Sequence, residues 1–222
     1  MSSINTLATA VLGRIEEANP PVFWNLQGEI YDFCVEAMNE ATMITGEPEI
    51  RQLSSFTLAA NTTLFTVPAP LVALLRVQAP NWVEKTTLWD LDRLTPGWES
   101  DVGAVPDYWF PYGLTQFGIH PQLTQSLQVF LTGIALPIPT GAPYTGSELI
   151  PFQPEYNDGF EDYAAHICTL KEGGKEFQAS LKVYGRFLDA MTQLGNFAYR
   201  KGSLRFSRIV GTPASVTPVE ER

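Results

Sequence analysis

Cysteine is nearly missing. Cys34 and Cys168 are the only two in 222 residues. They fit neither a disulfide framework nor a zinc-ligand set, so a reducing compartment is expected. Charge is scarce too: Asp, Glu, Lys and Arg make up 17% of the chain, against ~25% in ordinary soluble domains. What charge there is leans acidic, with 14 basic and 24 acidic residues and a net of -10. That balance argues against a general nucleic-acid binder. No apolar run approaches the ~20 residues of a membrane span, and the first residues lack the basic region of a signal peptide. No membrane partner is expected.

Motifs of chemistry are missing as well. The chain has no HExxH, GxSxG, P-loop or GxGxxG. His120 and His166 stand alone, one beside a Pro and one inside a helical pattern, and a lone histidine is more often structural than catalytic. The two cysteines fall in apolar stripes, where buried structural thiols far outnumber reactive ones. Asp90, Asp92, Glu99 and Asp101 form a loose acidic group without the alternating oxygens and fixed Gly of a calcium loop. The expectation is a chain that is not an enzyme, with no catalytic residue, metal or cofactor.

What the chain does have is apolar material (45%) with Gly 17 and Pro 17, enough for a core and for many turns. Residues 3–18 show helical spacing behind Ser3 as an N-cap, with Ile4, Leu7, Ala8, Val11 and Leu12 on one face. Residues 25–45 show it again through Ile30, Phe33, Cys34, Ala37 and Met38. After Pro48 the period becomes two, in short runs separated by Pro and Asn, which predicts a meander or small barrel. Residues 87–98 carry a short helical turn. Within 116–132, Phe117 and Ile119 share one parity and Leu127, Val129 and Leu131 another, which predicts a hairpin turning at His120-Pro121. The 119–126 turn and the 136–146 loop are expected to be exposed. Helical spacing returns from Phe152 to about Leu170, and again from Glu176 to Tyr199 with Leu181, Tyr184, Leu188 and Met191 inward.

The resulting fold class is α+β. N- and C-terminal helix pairs form a helical bundle, with an inserted antiparallel β meander or small barrel and an extended C-terminal tail. The expected divisions are 1–48 and 151–199 for the bundle helices, 49–150 for the β-rich insertion and 200–222 for the tail.

Two features stand out from this frame. Aromatic residues crowd into 82–112, where Trp98, Tyr108, Trp109, Phe110 and Tyr112, with His120 nearby, are candidates for a subunit or tail interface. Burial in a small β core and a sugar-binding platform are the rival readings. The tail collects Arg200, Lys201, Arg205 and Arg208, so the rest keeps 10 basic against 24 acidic residues, a net of -14. With Leu204 and Phe206 among them, these residues suit a docking arm for an acidic protein surface. The arm is expected to be disordered until bound, since Gly202, Gly211, Pro213 and Pro218 oppose a continued helix.

The order of short pieces carries a resemblance. LWDLDRLTPGW precedes GAVPDYW, then FGIHPQLTQSLQVFLTGIALP, then ELIPFQPEYNDGFEDYAAHICTL. The matching positions are Gly103, Pro106, Tyr108, Ile119, Pro121, Leu127, Val129, Ile150, Pro151, Asp158, Tyr163 and Ala164. Over roughly residues 25–200 the chain resembles the head–tail adaptor, or connector, proteins of tailed bacteriophages. The resemblance implies a structural virion protein of the neck, made in the host cytoplasm. It implies a homo-oligomeric ring, commonly a dodecamer, that joins the portal protein to a downstream tail or nozzle protein. Genomic DNA would pass through without sequence-specific binding, and residues 200–208 would be the portal-docking arm. Another neck or tail component (nozzle or terminator) and a carbohydrate-binding module are the alternatives.

Overall fold

A computed structural model describes residues 2–69, 71–79, 81–138, 143–172 and 176–209. The chain divides into two compact units. One holds residues up to Thr45, Tyr144–Leu149 and those from Gln153 on; the other holds Gly46–Pro143 and Ile150–Phe152.

In the first unit, α1 (Ile4–Arg14) starts where Ser3 Oγ accepts the Thr6 N–H, a side-chain cap for one of the orphan donors of a helix start. Two more of these donors bond to a loop far along the chain: Ile4 N–H to Glu148 O and Asn5 N–H to Gly146 O, both at 3.0 Å. A π-helical turn, Leu26–Ile30, capped by Asn25, leads into α2 (Tyr31–Thr45). The long pair α4 (Asn157–Glu172) and α5 (Glu176–Ile209) completes the set. Ile4, Leu12, Ile30, Met38, Phe160 and Phe187 are fully enclosed.

The expected inward stripe of Leu181, Tyr184, Leu188 and Met191 on α5 holds at Met191 and fails at Leu181. Ser180, Phe187 and Met191 are buried, and Leu181 is 50% exposed. The true stripe runs 180, 184, 187, 191 and begins with a polar residue, which hides it from a count of apolar positions. Ser180 belongs there because its carbonyl meets His166 Nδ1 at 2.9 Å. The tail also differs from an extended arm. The α5 backbone is helical to Ile209, because one Gly at 202 costs a helix only ~1 kcal/mol while Leu and Arg around it favour one. Residues 210–222 lie outside the described residues, and so do the side chains of Arg200, Lys201, Leu204, Arg205, Phe206 and Arg208.

The second unit overturns the picture of a helical bundle carrying a small β meander. Its strands are β1 (Glu49–Leu58), β2 (Leu64–Thr66), β3 (Leu71–Gln78), β4 (Trp82–Lys85), β5 (Val102–Gly103), β6 (Tyr108–Tyr112), β7 (Gln116–His120), β8 (Gln122–Leu123) and β9 (Leu127–Ala135), with α3 (Leu88–Leu94) between β4 and β5. Seven of them form one sheet in the order β1-β9-β3-β4-β6-β7-β2, and β5 pairs with β8. The β4–β6 pairing is parallel. A parallel pair needs a crossover rather than a tight turn, and residues 86–107, with α3, supply it. A meander has only antiparallel neighbours, so no meander can have this topology. The sheet also curls on itself: Phe56 on edge strand β1 lies 6.2 Å from Phe65 on the opposite edge strand β2 and 5.9 Å from Phe117, centroid to centroid. The result is a nearly closed barrel whose interior holds Val77, Trp109, Phe117, Ile119, Val129 and Leu131.

The expected hairpin across 116–132 is absent for the same reason. β7 pairs with β6 and β2, while β9 pairs with β1 and β3. The alternating apolar residues do face one core, but from separate places in the barrel wall. Nor is all of the 119–126 segment exposed, since Ile119 and Leu123 are fully buried and β8, which lies in it, pairs with β5. Residues 139–142 of the Pro-rich loop lie outside the described residues, and Ile138 and Tyr144 at its ends are buried.

Candidate functional site

The aromatic stretch of β6 and β7 serves two faces. Strand alternation sends Trp109, Phe117 and Ile119 into the barrel and turns Phe110 and Tyr108 outward under α3, where Leu91, Trp98 and Leu88 meet them. The pleat explains the sorting, since successive side chains leave a strand on opposite faces.

The outer cluster is built locally. Thr87 caps α3 by accepting the Asp90 N–H. Gly97, at φ 85°, makes the left-handed turn that brings the chain back after the helix. Trp98 then lies edge-on to Phe110, with ring centroids 5.4 Å apart, and its indole N–H donates to Asp92 Oδ1 at 2.8 Å. The hydrogen bond fixes the polar end of a tryptophan that is otherwise buried. His120 fills the remaining side. It stacks on Tyr108, meets Trp98 edge-on, and places Nε2 3.8 Å from Asp101 Oδ2.

Beside this cluster a cleft of about 410 Å³ opens, lined by Thr63, Leu64, Leu88, Asp92, Trp98, Glu99, Phe110 and Tyr112. Its walls are apolar and aromatic, its charges are two carboxylates, and no basic side chain lines it. A second cleft of about 460 Å³ lies in the helical unit around Arg14, Asp162 and Arg186. There the charges already answer one another: Arg14 bonds to Asp158, Glu161 and Asp162, and Arg186 Nη2 reaches Asp162 Oδ1 at 2.9 Å. Burial works against the Arg14 charge, but these carboxylates more than offset it and hold its pKa above the ordinary value.

The predicted interface residues therefore separate. Trp98, Phe110 and Tyr112 come together at one cleft. Trp109, at 1% exposure, is a barrel-core residue, and His120 is a buried support behind Trp98. Tyr112 is the most open of the three, at 44%. Leu64 and Leu88 were not among the candidates from sequence, and Asp92 and Glu99 figured there only as members of a loose acidic group. Trp82 and Trp89 are each about two-thirds exposed and lie under the guanidinium groups of Arg76 and Arg93. His166 is buried against Tyr184. Both cysteines are buried, and burial pushes the Cys34 thiol far up in pKa, which keeps it protonated and unreactive.

Among the described residues, no group of three or more His, Cys, Asp and Glu is placed to hold a metal. No helix among them is long and apolar enough to cross a membrane. What the open cleft offers is an apolar, acidic surface for contact. The class comes from comparison with family models: the SU10 adaptor protein model matches residues 2–213. The chain belongs to the SU10 adaptor protein family. No curated protein matches it. It is thus a phage adaptor, a structural component of the virion that contacts other capsid or tail proteins.

Proposed function

We propose that this adaptor forms a homo-oligomeric ring, twelve-fold as the resemblance to connectors implies, between the portal protein and the next tail or nozzle protein. Genomic DNA passes through the ring without sequence-specific contacts. The observation that carries this reading is the segregation of charge within an adaptor-family chain. Outside residues 200–208 the chain carries 10 basic and 24 acidic residues, and four cations fall inside them. An acidic channel wall repels phosphate and lets DNA slide, where a basic wall would hold it by counterion release. A subunit flanked by copies of itself through heterologous contacts also suits a chain with little surface charge.

The basic residues Arg200, Lys201, Arg205 and Arg208, with Leu204 and Phe206, dock onto the portal. Because the α5 backbone is helical there, the arm is a helix end rather than a loose tail, and positions 201, 204, 205 and 208 have the spacing of one helix stripe. Each copy binds weakly and the ring multiplies the contact. The test is binding to empty portal rings by the full-length chain and by its R200Q/K201Q/R205Q/R208Q variant. At least a tenfold loss of affinity in the variant is expected; equal binding removes the docking role.

A further inference from the structure

We propose that the cleft between α3 and β6 is a receptor for an arginine side chain carried by the tail-side partner of the adaptor. The proposal rests on the adaptor reading above and gives that partner's contact a chemistry. The cleft joins three things a guanidinium requires. It has one open aromatic ring, Tyr112, backed by the buried Trp98 and Phe110, and an open ring attracts a cation through its face. It has two carboxylates, Asp92 and Glu99. It has apolar walls, Leu64 and Leu88, for the aliphatic stem that long cationic side chains lay along such surfaces. Arginine fits better than lysine because its planar fork pairs with a carboxylate while its face stacks on a ring.

Charge complementarity decides the occupant. The cleft carries two negative groups and no cation lines it, so an acidic segment is repelled there, and a basic one gains an ion pair that a neutral one does not. Asp92 uses Oδ1 for the Trp98 indole at 2.8 Å, which leaves its second oxygen free of that bond. Among the described arginine side chains, Arg14 and Arg186 hold Asp162, and Arg76 and Arg93 lie on tryptophans. The basic end of α5 is assigned above to the portal. The arginine for this cleft is therefore assigned to another protein.

The experiment uses the full-length chain and a blocked Gly-Arg-Gly tripeptide as probe, beside the same peptide with citrulline, the neutral analogue of arginine. Binding is read on the Trp98 indole ¹H–¹⁵N resonance, assigned by Trp98→Phe. The arginine peptide is expected to shift that resonance saturably and the citrulline peptide is not. Asp92→Asn with Glu99→Gln should weaken binding at least tenfold. The amide introduced at position 92 keeps an oxygen for the indole, so the fold survives; an unchanged thermal transition checks this. Equal shifts by both peptides, or undiminished binding in the folded double variant, overturns the proposal. So does tighter binding of a peptide of residues 200–208, which puts the occupant in a second copy. Ring formation on portal, imaged in parallel, separates the two levels: rings without arginine binding defeat the cleft alone, and absence of rings defeats the adaptor-ring reading.

Discussion

The far end of the Phe110 ring lies over Gly118, its partner across β6 and β7. A Cβ built on Gly118 would meet Phe110 Cζ at 2.1 Å and Cε2 at 2.3 Å. The glycine is the floor on which the outer aromatic cluster rests. Gly118→Ala therefore displaces the ring, with overpacking of about 1–3 kcal/mol. Urea denaturation should show that loss, and near-ultraviolet circular dichroism should show a changed aromatic environment. A variant as stable as the parent would mean that Phe110 has another place to go.

Asp162 is the shared acceptor of the helical unit. Arg14 of α1 and Arg186 of α5 both bond to its Oδ1, so one carboxylate of α4 ties three helices. Asp162→Ala strips both and is expected to cost about 2 kcal/mol, the scale of a hydrogen bond to a charged group. Arg186→Ala should cost much less, because that side chain is 65% exposed and exposed pairs contribute little. Thermal unfolding of the two variants side by side checks the order.

Ile30 is fully buried and Leu181 half-exposed, so the same substitution should part them. Ile30→Asp buries an unpaired charge and is expected to abolish the folding transition. Leu181→Asp should shift it by no more than ~0.5 kcal/mol, the range of surface changes. If Leu181→Asp also unfolds the chain, the α5 face described above is wrong.

The loop that closes the α1 start is acid-sensitive. Glu148 accepts the backbone N–H of Thr145 at 2.8 Å, and also the Thr145 hydroxyl and the Gly146 N–H. These bonds favour the ionised form and lower its pKa, the Thr145 N–H most of all. A carboxylate with a lowered folded pKa contributes its stability above the unfolded value, ~4.3 for Glu, and loses it as pH falls through the folded value. Hydrogen exchange at the Ile4 and Asn5 amides should thus speed up, relative to the intrinsic rate, in that acidic window. Glu148→Gln should remove the dependence.

How much of this was legible in the sequence follows from where each residue's partners lie. The Ser3 cap, the α2 stripe and the short α3 were visible because their contacts are local or periodic. The strand order of the barrel was not, since β9 pairs with β1 and β3 across long stretches of intervening chain, and alternation reports a face without naming a neighbour. The aromatic run misled for a physical reason. β6 and β7 are covered on both sides, so Trp109 and Phe110, adjacent in sequence, serve different clusters. Trp98, Phe110 and Tyr112 did meet at the cleft, yet Leu64 joins it from a distant strand with no signal of its own. The helical extension of α5 was hidden by over-weighting Gly202 against the helix formers around it.

The ring itself is the central claim. Full-length chain mixed with purified empty portal rings, imaged by negative stain and class-averaged, tests it most directly. The account predicts portal particles carrying a second, coaxial layer with the same order of rotational symmetry as the adaptor ring. Bare portal rings beside a free adaptor chain that never joins them would contradict it.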